Sequence, residues 1–186
     1  SPDGREMTDD EWNQEHARTL GLFLSGSAVD EIDERGQLIT DENFVLLMNA
    51  EARALGLRDT VYRTPHGLDE PGAHSSARDM LTLAELDMAS PVFRSLARKR
   101  IVSIPGHPNL PTSNTLLARY AGLDGVKTGH TDEAGWNLAG SAERGGMRMY
   151  AIVLGAPDEA ARDADVAQLL DWGFDRYQHA TLLRVG

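Results

Sequence analysis

The 186-residue chain contains no cysteine, only two lysines and few aromatic residues, which make up 6% of it. Without cysteine it forms neither disulfides nor thiolate metal sites. Its six histidines show no closely spaced pair of the kind that binds zinc. We therefore expect no metal and no other cofactor.

Positive charge and long apolar runs are also scarce. There are 18 Lys and Arg residues against 29 Asp and Glu, so the formal net charge is −11. Nucleic-acid binding needs a basic face, and this balance predicts that no nucleic acid is a partner. No stretch approaches the roughly 18 apolar residues of a membrane span, so we predict no transmembrane segment. A hydrophobic content of 41% is enough for a core.

The first residues are Ser1-Pro-Asp-Gly rather than Met, and no signal-peptide pattern follows them. We expect the chain to be cut from a longer sequence.

Three apolar segments separated by turns follow residue 122. The triplet Lys127-Thr128-Gly129 lies on or beside the first, residues 136–142 form the second, and residues 147–155 form the third. Residues 143–146 have the composition of a hairpin turn. This pattern predicts an antiparallel meander.

Helices are predicted on both sides of the meander. One covers residues 77–86 with Ser76 as its cap, a short one starts at Pro91, and a long amphipathic one covers residues 156–177. Residues 105–113 are predicted as a loop. The segment from residue 40 fits a helix that is capped by Thr40 or Asp41 and stops at Gly56. Phe44 to Met48 fits a continuous buried strand equally well, and periodicity does not separate the two. The expected class is α+β, an antiparallel sheet packed with helices.

Lys-Thr-Gly is one of three signatures of penicillin-interacting serine enzymes. From about residue 44 to residue 186 the chain resembles the C-terminal half of a serine-type D-alanyl-D-alanine carboxypeptidase, a low-molecular-weight penicillin-binding protein. The resemblance implies an incomplete version of the α/β part of the β-lactamase/penicillin-binding fold. It rests on residues 48–57, 64–69, 74–79, 114–154 and 172–177.

The resemblance also implies roles for five residues. Lys127 would supply fixed positive charge at the catalytic centre, and the Thr128 hydroxyl would bind the terminal carboxylate of the substrate. Gly129 would let the ligand lie against the strand, and the His130 N–H would stabilise an oxyanion. Arg148 would be a second group for the carboxylate. The implied partner is a peptidoglycan stem peptide or a β-lactam.

The nucleophile motif Ser-x-x-Lys is absent. Neither lysine lies three residues after a serine, since position 96 is Leu and position 124 is Asp. Loss of the nucleophile from such an enzyme removes on the order of 10⁶ of rate. The chain alone is therefore expected to be an inactive partial carboxypeptidase, and the alternative is a non-catalytic module that binds peptidoglycan peptides.

Residues 4–13, 17–24 and 39–50 resemble the C-terminal β-sandwich region of bacterial glycogen debranching enzymes. The expected division is a debranching-type segment over residues 1–45 and a partial carboxypeptidase domain over residues 46–186. Such carboxypeptidases act outside the cytoplasm and debranching enzymes inside it, so the chain is expected to be a chimera whose location the sequence leaves unknown. A third possible function is a remnant that binds α-glucan.

Ser25 is a further candidate. Ser25-Gly26-Ser27 precedes Met48-Asn49 at about the spacing that the carboxypeptidase family has between its Ser-x-Asn motif and the next helix. Under that alternative Ser25 would shuttle protons, with Ser27 in the place of Asn. The competing interpretation is a structural turn.

Overall fold

The computed structural model describes residues 41–104 and 107–178. The chain divides between Phe44 and Val45, and nearly all described residues belong to the second unit. Ser25 and most of the segment that resembles debranching enzymes lie outside the described residues.

Residues Asp41–Ala54 form helix α1, so the segment for which helix and strand were both predicted is helical. Its last residue is Ala54. Gly56 follows with a φ of +74°, which suits a residue without a Cβ, and the Leu57 N–H donates to the Ala52 carbonyl and closes the end of the helix. The Asn49 amide holds the following loop, because it accepts from the Tyr62 N–H at 2.9 Å and donates to the Tyr62 carbonyl at 2.8 Å.

Two further helices meet at a shared residue. Helix α2 covers Ala77–Ala89 and helix α3 covers Pro91–Ala97. Ser90 ends α2 and also caps α3, accepting from the Phe93 N–H. The predicted cap at Ser76 is confirmed, since its hydroxyl accepts from the Asp79 N–H.

The carboxylate of Asp79 fastens the loop after α1 to helix α2. It accepts from the Thr60 hydroxyl at 2.7 Å and from the Asp59 N–H at 2.8 Å. The Thr60 hydrogen bond is the main reason why the pKa of Asp79 lies below its ordinary value of 3.8.

The prediction of a loop over residues 105–113 is wrong in part. Strands β1, Ile101–Ile104, and β2, His107–Pro111, pair as an antiparallel hairpin. Two prolines within the second strand, Pro108 and Pro111, hid it, because proline lowers strand propensity except at sheet edges. A 3₁₀ helix follows over Thr115–Ala118.

The predicted meander is confirmed. Strands β3, Leu123–Thr131, β4, Gly135–Arg144, and β5, Met147–Ala156, form an antiparallel sheet in that order. Gly145 and Gly146, both with positive φ, make the two-residue turn between β4 and β5. The predicted C-terminal helix is α4, Glu159–Arg176, capped by Asp158.

Helices cover both faces of this sheet. A Cβ at Gly125 would meet Met88 of α2 and Ala97 of α3, whereas a Cβ at Gly140 would meet Val166 of α4 at 2.8 Å. Val126, the neighbour of Gly125, pairs with Gly140, so the two glycines face opposite sides. On the α4 side the core includes Leu116, Leu117, Leu123, Leu138, Ala142, Ala151, Val166 and Leu170.

A buried ion pair lies within α4. Arg162 and Asp163 are 1% and 2% exposed, and their side chains are joined at 2.6 Å. Asp163 also accepts from Thr115 and Arg119, which ties α4 to the 3₁₀ helix. Several hydrogen bonds satisfy these charges, as buried ions require.

We expect Asp79→Asn to lower stability at pH 7, with the loss shrinking in acid. A carboxyl whose folded pKa is depressed stabilises the fold fully above its unfolded pKa and ceases to do so as pH falls through the folded value. The difference in unfolding free energy between Asp79→Asn and wild type should therefore be full at pH 7 and decline below about pH 3.8. Urea titrations from pH 7 to 2.5 measure it, and a difference that is constant over that range would contradict the assignment.

Candidate ligand-binding cleft

A cleft of about 270 Å³ opens beside β3. Its walls come from the end of α3, the β1–β2 hairpin, the loop before the 3₁₀ helix, and β3. Apolar side chains of α3 and the hairpin form one part of it. Its polar lining residues are Lys99, Thr112, Ser113, Asn114, Lys127 and Thr128.

Lys127 lies on β3 opposite Ala139 of β4. It is exposed as a residue, and its ammonium donates to the Thr128 carbonyl. Partial burial among the cleft walls lowers the pKa of Lys127 from its ordinary value, because desolvation disfavours the charged form. An anion in the cleft would reverse that effect.

Thr128 and Ser113 face each other across the cleft floor. Their hydroxyl oxygens are 2.8 Å apart, and either one donates to the other. One hydroxyl proton of this pair is therefore free to turn to a bound acceptor. Ser113 was not predicted from the sequence, since a serine in a turn has no distinctive signal.

Strand β3 lies at an edge of the sheet as far as the structure describes it. The Gly129 carbonyl lies on the β4 side, where the Asn137 amide reaches it at 3.4 Å. Backbone groups of successive strand residues point to alternate sides, so those of Thr128 and His130 point to the open edge. This is the orientation that the predicted role of the His130 N–H requires.

Gly129 is exposed, and a Cβ placed on it would come no nearer than 3.9 Å to another residue, Asn137. The His130 ring stacks on Trp136 with centroids 4.1 Å apart. The strand is thus open at the glycine and supported by an aromatic pair one residue later.

Asn114 is the cleft residue with the clearest unmet hydrogen-bonding capacity. It is 5% exposed, and within the described ranges its Oδ1 is the buried side-chain polar atom that lacks a partner. A buried acceptor without a donor is costly, so such an atom is a natural partner for a ligand N–H. No residue pattern singled out this side chain in advance, since its burial depends on the fold of the loop before the 3₁₀ helix.

Arg148 lies away from the cleft. Its guanidinium contacts Asp124 at 2.9 Å, Glu143 at 2.6 Å and Ser141. It pairs with Glu143 near the turn, whereas Ile152, four residues further along β5, lies at the level of Lys127. The hydrogen bond to Asp124 raises the pKa of Arg148. Its role as a carboxylate ligand stays a prediction, and a ligand would have to compete with two carboxylates of the protein.

Another arginine lies nearer to the Lys-Thr-Gly end of the strand. The Arg162 guanidinium is 5.7 Å from the ring centre of Trp136, the residue that stacks on His130. It is buried and bonded to Asp163 and Glu159. The sequence placed it simply in the amphipathic C-terminal helix.

The described part of the chain contains neither a metal-binding cluster nor a membrane-spanning helix. Residues 41–104 and 107–178 contain no group of three or more His, Cys, Asp or Glu side chains arranged to hold a metal ion. Among the helices that the structure describes, none is long and apolar enough to cross a membrane.

The α+β fold and the edge strand with Lys-Thr-Gly define a domain of the penicillin-binding and β-lactamase class. Residues 40–158 match the peptidase S11 family, the D-alanyl-D-alanine carboxypeptidases, and the chain belongs to that family.

Comparisons with individual relatives support this family assignment. The chain is 38% identical over 148 residues to D-alanyl-D-alanine carboxypeptidase DacA of Escherichia coli, which is 79% of this chain and 37% of the relative. It is similar to penicillin binding protein 6B from Escherichia coli, with a TM-score of 0.70 and 36% identity over 77% of this chain and 46% of that one. Penicillin-binding protein D2 from Listeria monocytogenes, in its cefotaxime-bound form, gives a TM-score of 0.66 and 38% identity over 71% of this chain and 55% of that one. The chain thus spans under two fifths of the curated relative and about half of each solved structure.

We expect Arg148→Ala to destabilise the fold by about 1–3 kcal/mol, because the partly buried Asp124 carboxylate loses its cation and the more exposed Glu143 carboxylate loses a partner. Chemical denaturation measures this loss. Peptide affinity measured on the same variant tests the predicted binding role. A variant that is as stable as wild type would contradict the structural account.

We expect Gly129→Ala to leave stability within about 0.5 kcal/mol of wild type and to weaken peptide binding at least about fivefold. The added methyl meets open space in the free protein but lies where the ligand would approach. Gly140→Ala on the neighbouring strand is the comparison for stability. Its methyl would collide with Val166 and lower the free energy of unfolding by about 1–3 kcal/mol. If Gly129→Ala binds peptide like wild type, the ligand does not lie along this strand.

Proposed function

We propose that this chain binds the D-alanyl-D-alanine end of peptidoglycan stem peptides, and β-lactams that resemble it, without hydrolysing them by itself. The proposal is carried by one observation, the cleft in which Lys127, Thr128 and Ser113 line an open strand edge. The names of the relatives, carboxypeptidases and a cefotaxime-bound penicillin-binding protein, support the ligand class.

The ligand would add to the edge of β3 as an extended strand. The outward backbone groups of Thr128 and His130 would pair with it, and Gly129 would give its backbone room. The terminal carboxylate would accept from the Thr128–Ser113 hydroxyl pair and lie near the Lys127 ammonium. The Asn114 Oδ1 would accept from a ligand N–H.

Hydrolysis needs a nucleophile that this arrangement lacks in the described residues. A carboxypeptidase of this kind forms an acyl-enzyme on an activated serine. The chain has no Ser-x-x-Lys, and the Ser113 hydroxyl is paired with Thr128 rather than with a base. We therefore propose an inactive partial enzyme, with His130 and Lys127 retained as binding groups.

We keep the division into residues 1–45 and 46–186 as a proposal. The family match begins at residue 40, and the chain divides between residues 44 and 45, so both boundaries fall near the proposed junction. Glycogen affinity of the whole chain, lost on deletion of residues 1–40, would support the debranching-type origin of the first segment. By analogy with cell-wall-acting relatives, the proposed site of action of the second is extracytoplasmic.

The affinity of a D-Ala-D-Ala peptide should fall as pH rises through the pKa of Lys127 in the free protein. The ligand carboxylate raises that lowered pKa, so binding takes up a proton, and affinity is full below the free-state pKa. The decline should therefore begin below pH 10.5. Isothermal titration calorimetry from pH 7 to 10.5 measures it, and Lys127→Met should bind more weakly at pH 7 with a flatter profile.

Two outcomes would overturn this proposal. One is a saturable affinity that Lys127→Met leaves unchanged. The other is a covalent adduct with a labelled penicillin seen on a denaturing gel, which would reveal a nucleophile. Loss of that adduct in Ser25→Ala would assign the nucleophile to Ser25.

A further inference from the structure

The two lysines of the chain line the same cleft. Lys127 comes from β3, and Lys99 comes from the other wall, one residue after Arg98, the C-cap of α3. The Lys99 N–H donates to the Leu96 carbonyl at 3.0 Å, so its backbone is fixed at the rim while the side chain stays exposed. Nothing in the proposed binding of a terminal carboxylate uses this second ammonium.

The surroundings of these ammoniums differ from the rest of the chain. Asp and Glu account for 29 of its residues, yet none of those within residues 41–104 and 107–178 lines the cleft. In the part of the chain that the structure describes, neither lysine lies within ion-pair distance of a carboxylate. Two cations that have no carboxylate beside them among the described residues concentrate anions at this part of an acidic protein.

One terminal carboxylate requires one cation. The Lys127 side of the cleft already offers an ammonium and a hydroxyl pair to it. The Lys99 side adds a cation beside apolar side chains, Leu96, Val102 and Leu110, which are 51%, 38% and 36% exposed. That wall suits a ligand that carries both apolar groups and a second negative charge.

We propose that Lys99 makes the cleft selective for peptides that carry a second carboxylate upstream of the D-Ala-D-Ala end. This inference rests on the proposed function, since it places the terminal carboxylate at Thr128 and Lys127. The cleft volume of about 270 Å³ is at the lower end of ligand pockets, so it holds the terminal residues and leaves the upstream carboxylate at the rim. Lys99 lies at that rim.

Lys99 is an exposed residue on a flexible stem, so its effect is modest. Exposed ion pairs give roughly 0.2–1 kcal/mol, which corresponds to a preference of up to about fivefold. The preference is also sensitive to salt, because the Debye length falls from about 10 Å at 0.1 M to about 3 Å at 1 M.

Two tetrapeptides test the inference, both ending in D-Ala-D-Ala and identical except that one has glutamate and the other glutamine at the first position. Calorimetry at low salt should show that wild type binds the glutamate peptide roughly two- to fivefold more tightly. Lys99→Gln should bind both equally. Arg100→Gln is the matched control, because Arg100 is the next residue, is exposed and is not among the residues that line the cleft.

The outcomes separate the two proposals. If wild type binds both peptides with equal affinity, or if Arg100→Gln removes the preference and Lys99→Gln keeps it, the selectivity proposal is overturned and the proposed function stands. If neither peptide binds, the proposed function fails and this inference fails with it. A preference that 1 M salt leaves intact would also overturn it.

Discussion

The pairing of β4 with both of its neighbours is the constraint on which the rest of the second unit depends. β4 is the central strand of the described sheet, and it contains Leu138, Ser141 and Ala142, each 0% exposed. Because helices cover both faces, every residue of β4 has a fixed direction, and a slip of one residue would exchange the two faces. Through this register, β4 sets the position of Lys127 on one side and of Arg148 on the other.

The parts of the fold that were predictable share one property, a strong local pattern. The meander has apolar segments with a Gly-Gly turn, and α2 and α4 have periodic apolar residues behind Ser76 and Asp158 caps. Where local pattern was ambiguous, as in residues 40–50, the outcome was set by tertiary contacts such as those of Asn49 with Tyr62. The β1–β2 hairpin was missed because its proline content contradicts its strand structure.

The candidate site also contains residues that a local motif predicts and residues that only the fold brings together. The Lys-Thr-Gly element is a contiguous motif, so the sequence could locate Lys127, Thr128, Gly129 and His130. Ser113, Asn114 and Lys99 join them through the fold of the loop and helix α3, and their residue types alone carry no signal. The position of Arg148 followed from resemblance to a family, and such a resemblance does not account for the local charges of Asp124 and Glu143.

Strand β3 also has a consequence for association between molecules. An edge strand with outward N–H and C=O groups pairs with any extended segment that fits, including the same strand of a second copy. A net charge of −11 opposes the approach of two copies, whereas a small peptide is repelled far less. The acidic surface therefore disfavours pairing of β3 with a second copy more than pairing with a small peptide. A peptide bound along this edge also blocks strand pairing between copies.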